Sequence, residues 1–399
     1  MNYDLVIRNA RTRRTGTATV DIGIHGEKIA AIGKSLDAGA AEVIDAEGRL
    51  VSESFVNGHL HLCKVHTLER VGEDALMSYS SGSMGGAMTA IELASRVKRD
   101  YDERWIIENV RRALDQAIEF GNTHIRAFAD TDTTGGLEGV KALVKAREEY
   151  RDRVDVQVVA FPQDGIVRDP GAEDYVRQAM SLGADVVGGI PWIEYTDADA
   201  HEHIERVFAI ALEYDRDISM LIDDAGDPSL RTLEMLLSRT RTAGWEGRVT
   251  VQHARAMQLY PDPYYRKMEA LLKQARVGVV SDPHTGPLHA RVRELYNAGV
   301  HVALGQDDIS DAYYPYGRNN MLEVAFLASH LLWMTTLADM NVLYDLITTS
   351  AARVLGMNGH ELVEGGNADL VVLSADSVLE ALRTHEAPTC VIRKGKRLR

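Results

Sequence analysis

Phe55-Val56-Asn57-Gly58-His59-Leu60-His61 closes a strand-like run that begins near Leu50, and it is the first of eight such runs in the chain. The others lie near His124–Asp130, Asp155–Phe161, Asp185–Ile190, Asp217–Ile222, Arg248–His253, Gly278–Ser281 and His301–Leu304. Runs such as VQVVAF and ADVVGGI are apolar almost throughout, the composition of strands buried on both faces. Amphipathic segments separate them. In Trp105–Gly121, residues Ile107, Val110, Leu114, Ala117 and Ile118 recur at helical spacing, and Gly121 suits the position just past a helix end. Eight strand–helix alternations predict an α/β fold, a (β/α)8 TIM barrel spanning residues 51–356.

Before that barrel, Asp4–Asn9, Ala18–His25, Lys28–Ile32 and Glu42–Asp45 are short β-branched runs, with Gly26 and Gly48 at turns. After it, Asp369–Leu373 and Thr389–Arg393 have the same texture, the second followed by the turn Lys394-Gly395-Lys396. Neither end buries enough surface alone. Residues 1–50 and 357–399 are therefore expected to close one small composite β-sandwich that brings the termini together. The stretch 72–87, ending in SYSSGSMGGA, follows the first barrel strand and reads as a lid or a solvated loop.

The 399 residues suffice for a barrel and a satellite domain, and 45% hydrophobic with 26% charged residues is an ordinary folded balance. A net charge of −15 repels polyanions, which argues against nucleic acid and acidic membranes as partners. No apolar run is long enough to span a bilayer, and MNYDLVIRNA lacks the features of a secretory signal. Cys63 and Cys390 form no CxxC pair, so a reducing cytoplasm is the expected setting and small molecules the expected partners.

Reactive groups of a (β/α)8 barrel gather at the C-terminal ends of its strands. His59 and His61 stand two residues apart at the first exit, so both imidazoles project to one side and can share a cation. Asp307, in Gly305-Gln306-Asp307-Asp308 at the eighth exit, can ligate that cation and take a proton from its water, or make a salt bridge or cap. His253, at the sixth exit, reads as a further ligand, a proton donor or a satisfied core histidine. One divalent ion (zinc, iron, manganese or cobalt) so held would activate water for hydrolysis. No GxSxG elbow suggests a serine route. A second HxH, His201 and His203, lies on a polar helix start and reads as a solvated face.

The opening DLVIRNA…VIDAEGRLVSESFVNGHLHL and the closing EGGNADLVVL resemble the amidohydrolase superfamily. VDVQVVAFPQDG, GADVVGGIP, GRVTVQHARAM and GQDDISDAYYPYG…NML are similar to its cytosine deaminase branch. That branch deaminates pyrimidines and creatinine-like rings, or strips alkylamines from triazine rings. The resemblance implies that His59, His61 and Asp307 are ligands, Asp307 also the proton acceptor, and that His253 activates or orients water. It implies that Gln163 reads the edge of a lactam-like substrate with its amide. It also shows a departure: Leu221 occupies the position of a strand-5 histidine ligand, and Asp224 replaces the acidic proton shuttle, one methylene shorter. His253, Asp223 or a residue of another loop would then complete the cation site. Relatives of this kind imply a homo-oligomer.

The expectation is hydrolysis of a C–N bond in a small N-heterocycle or urea-like molecule, releasing ammonia or an amine, with Asp224 protonating the leaving nitrogen. An amidase acting on an open-chain amide, urea or carbamate is the alternative, and a non-catalytic barrel the third reading. Phe128, Trp192 and Tyr314, near strand ends, are expected to line the pocket or to pack in the core. Lys64 is expected to meet a substrate oxygen or form a salt bridge.

Overall fold

The computed structural model describes residues 2–36, 39–71, 77 and 95–399, and all that follows concerns these. The stretch 72–87 read above as a lid or loop lies outside them, Met77 apart.

Eight parallel strands form one sheet in sequence order: β6 (Phe55–Leu60), β7 (Asn122–Asp130), β8 (Asp155–Phe161), β9 (Val186–Gly189), β10 (Asp217–Ile222), β11 (Val249–His253), β12 (Gly278–Ser281) and β13 (Val302–Leu304). The sheet closes on itself through a parallel bridge between Leu60 and Asp307, just past β13. Helices cover the outside, as the apolar composition of both strand faces requires. The helix Glu103–Glu119 buries Ile107, Val110, Leu114 and Ala117 toward the strands. Gly121 follows it at φ +73°, where an added Cβ would lie 2.6 Å from Val371.

The chain ends build two further four-stranded sheets. One has the order β3-β2-β1-β4, from β1 (Tyr3–Ala10), β2 (Val20–His25), β3 (Lys28–Gly33) and β4 (Ala40–Asp45). The other has the order β16-β15-β14-β5, from β5 (Val51–Glu53), β14 (Leu370–Val372), β15 (Cys390–Arg393) and β16 (Lys396–Arg397). Leu5, Ile7, Ile22 and Ile24 pack with Val51, Leu370, Val372 and Ile392 in their shared core.

The run that begins near Leu50, read above as one barrel strand, is two strands in different sheets. β5 pairs antiparallel with β14, and β6 pairs parallel with β7. The change falls at Ser54, whose N–H donates to Asp369 O (2.9 Å) while the next N–H, of Phe55, donates to Gly121 O (2.9 Å). Both halves are β-rich, so composition does not reveal the crossing. Among the described residues no helix is long and apolar enough to cross a membrane.

A buried polar clasp joins the terminal sheets to the bottom of the barrel. Arg393 donates to Asp369 (2.6 Å) and also binds Asp155 at the start of β8. His124 Nε2 lies 3.4 Å from Asp155, and His360 Nε2 donates to Ser54 O (2.8 Å). His124, His360 and Asp369 stand close enough to hold a metal ion, but Arg393 already supplies the positive charge there. Arg393→Met would leave Asp369 buried without its partner, and should cost about 3 kcal/mol of stability by chemical denaturation. An unchanged denaturation midpoint would show that the clasp does not hold the two parts together.

Candidate active site

The closing seam of the barrel is also where its histidines and carboxylates meet. Asp307 N–H donates to His59 O (2.9 Å), and His61 N–H donates to Asp307 O (2.8 Å). These backbone bonds seat one carboxylate between two imidazoles: Asp307 Oδ1 lies 3.2 Å from His59 Nε2 and 3.8 Å from His61 Nε2. His253 Nε2, from the end of β11, lies 3.9 Å from the same oxygen. His253 and Asp307 both sit at φ +64°, a left-handed conformation that costs a residue with a Cβ roughly 1–2 kcal/mol. Such strain clusters where a side chain must be aimed at a functional point.

All four side chains are buried. Among the described residues His59 Nδ1 has no hydrogen-bond partner, and Nε2 faces only the Asp307 carboxylate. A buried imidazole that faces only a carboxylate, with two more imidazoles beside it, is a donor set that fits a divalent cation. His59, His61 and Asp307 offer ligating atoms within 4.8 Å of one another.

A second layer orients this set. Asp282, just past β12, lies 2.6 Å from His253 Nδ1, and the other ring nitrogen, Nε2, faces Asp307. Thr285 donates to Asp307 Oδ2 (2.9 Å). Arg255 pairs with Asp224 (3.0 Å) and donates to Thr285 (2.7 Å). Burial opposes charge on His253, yet Asp224, Asp282 and Asp307 outweigh it and raise its pKa to about 9. Burial likewise opposes charge on Asp307, but His253, His59 and His61 hold its carboxyl well below the usual range. Burial pushes Asp224 up, against the pull of Arg255 and His253. It pushes Asp308 well up, with Asp307 and Asp311 adding to the effect.

A cavity opens onto these groups. His61, His253, Asp307 and Asp224 line its reactive side, and Gln163, Ile190, Trp192, Leu221 and Tyr313 its walls. Leu221 packs with Phe128, Phe161, Ile190 and Trp192, so the wall where a ligand histidine was missed is apolar. Gln163 accepts a hydrogen bond from Lys64, which leaves the amide NH2 to donate to a bound molecule. Lys64 itself is buried and paired with Asp130 (3.1 Å). Phe128 packs at a tilt against His59, ring centroids 4.2 Å apart, and Tyr314 packs against His284 at 5.2 Å; neither is among the cavity's lining residues.

His203, read above as solvated, is fully buried and paired with Glu194; its neighbour His201 is exposed. One turn of a polar helix start was thus split between core and solvent. Sequence reading also missed Arg255, Asp282, Thr285 and Ile190. Asp282 and Thr285 follow the seventh barrel strand, and Arg255 lies two residues past His253, so the strand-exit rule that found His253 reaches all three.

Comparison with known proteins agrees with this architecture. A profile of the Amidohydrolase family matches residues 42–399. The chain is 30% identical over 397 residues to N-isopropylammelide isopropyl amidohydrolase of Pseudomonas sp. (strain ADP), covering 99% of this chain and 97% of that one. The structure of 5-methylcytosine deaminase from Klebsiella pneumoniae with 5-fluorocytosine superposes with a TM-score of 0.90 at 31% identity, over 99% of this chain and 97% of that one. N-isopropylammelide isopropylaminohydrolase from Burkholderia multivorans gives 0.83 at 28% identity, over 99% and 97%. A match of this extent, on a barrel whose seam gathers imidazoles around one carboxylate, leaves a single assignment: the chain belongs to the amidohydrolase family.

Proposed function

We propose that this enzyme hydrolyses a C–N bond on a small N-heterocyclic ring and releases ammonia or an alkylamine. The observation that carries the reading is the convergence of His59, His61 and His253 nitrogens on one oxygen of Asp307. Those four residues would hold one divalent cation, with His253 completing a set in which Leu221 offers no ligand. The cation supplies Lewis acidity and lowers the pKa of a water toward ~7.

The chain's own groups supply the rest. Asp307 is placed to accept the proton of the attacking water. Asp224 lies 4.0 Å from His253 Nδ1 in the cavity wall, and burial favours its protonated form, which suits delivery of a proton to the leaving nitrogen. Gln163, its oxygen engaged by Lys64, would donate to a ring carbonyl. Ile190, Trp192 and Leu221 give the cavity an apolar wall that accommodates an N-alkyl group. Zinc, iron, manganese and cobalt all suit two or three imidazoles with a carboxylate. The same reading makes the enzyme cytoplasmic with small-molecule partners, supported by the −15 charge and the two unpaired cysteines, and the family resemblance makes it a homo-oligomer.

Asp307→Asn should lower kcat/KM at least about 10^3-fold for N-isopropylammelide or cytosine, assayed by isopropylamine and ammonia release, with an unchanged circular dichroism spectrum. Retained turnover would sink the proposal. Leu221→His restores an imidazole to the apolar wall and should tighten divalent-ion retention roughly tenfold or more, measured by competition with a chelator. Equal retention by both proteins would mean that Leu221 does not face the cation.

A further inference from the structure

The loops that carry Gln163 and Trp192 are held by a charge that never reaches the cavity. Glu194 follows the short turn Pro191–Ile193 after β9, and its carboxylate is fully buried. Its Oε1 accepts from the backbone N–H of Ile166 (2.8 Å) and Val167 (3.1 Å), and its Oε2 accepts from Arg168 N–H (2.8 Å). Residues 166–168 belong to the loop after β8 and begin three positions beyond the cavity residue Gln163. That loop reaches Glu194 at Gly165, φ +95°, where a Cβ would sit 2.8 Å from Glu194 Oε1; glycine alone allows the approach.

The fourth donor to Glu194 is His203 Nδ1, 2.7 Å from Oε1, on the helix Asp197–Tyr214. The other nitrogen of that ring, Nε2, accepts from Ile190 N–H (3.0 Å). A neutral imidazole has one donor and one acceptor, and both are used here. Burial lowers the His203 pKa and so favours that neutral form. One pair therefore fixes Ile190 and Glu194, the two ends of the turn containing Trp192, and ties them to the Gln163 loop. Trp192 lines the cavity, and its indole N–H has no partner among the described residues.

We propose that Glu194 and His203 are positioning residues that set the separation of the Gln163 and Trp192 walls, and with it the fit of the substrate ring. Four donors converge on the Glu194 carboxylate. An amide there offers one oxygen and turns N–H groups toward donors, so Glu194→Gln keeps the shape and breaks the pattern. His203→Gln removes the imidazole bridge between Glu194 and Ile190.

The kinetic arm of the test rests on the proposed hydrolysis; the exchange arm does not. Both variants and the parent enzyme, loaded with the same metal, are compared by hydrogen–deuterium exchange and by steady-state kinetics with N-isopropylammelide and cytosine. Amides of residues 166–168 and 190 should exchange at least about tenfold faster in both variants, with β6 and β11 unchanged and metal content intact. KM should rise about tenfold or more while kcat moves less than about threefold, a split that general destabilisation would not produce. Unchanged exchange at 166–168 and 190, or faster exchange throughout the barrel, would overturn the proposal, as would local loosening with KM unaltered. If the parent enzyme turns over neither compound, the proposed function fails for these substrates, and the exchange pattern still decides the positioning role.

Discussion

The structure depends on the pair of backbone hydrogen bonds that closes the barrel between β6 and the residue just past β13. Asp307 takes part through its N–H and its carbonyl, and His59 and His61 are its partners. A parallel register one residue away would close a barrel as well, but would turn the side chains to opposite faces. Closure and assembly of the candidate ligand set are thus one event. Sliding β6 against Asp307 would cost the site before it cost the fold.

Around that seam, charge is buried in mutually compensating groups. Asp307 remains ionised because imidazoles surround it, and the carboxylates around His253 raise its pKa against the effect of burial. Lys64 with Asp130, and Lys98 with Asp132 and Asp164, extend the same logic under the loops after β6, β7 and β8. Removing one member of such a set leaves its partner desolvated and alone, which is why neighbours as well as ligands constrain the site. The left-handed backbone at His253 and Asp307 persists because seam and side-chain bonds together over-determine it.

Much of this was legible in the chain. Seven of the eight apolar runs lie within a residue or two of β7 to β13, and the helix marked by Ile107, Val110, Leu114 and Ala117 buries that face. The structure brings His59, His61, His253 and Asp307 together, and Asp224, Gln163 and Trp192 share their cavity. Phe128 and Tyr314 stand farther back as packing groups behind His59 and His284. The misreadings have a common cause. Ser54 and His203 are polar residues in polar or mixed surroundings, and their burial follows from partners far along the chain, Asp369 for Ser54 and Ile190 for His203.

The sequence by itself determined the alternation of strands and helices, the strand-exit placement of the histidines, and the absence of an imidazole at Leu221. These are properties of local periodicity and residue identity. Tertiary structure alone decided that β5 leaves the barrel for the terminal sheet, that Lys64 turns the Gln163 amide, and that Glu194 and His203 bind two loops together. Each of those is a hydrogen bond or ion pair between distant residues, whose partners exist only once the barrel has closed.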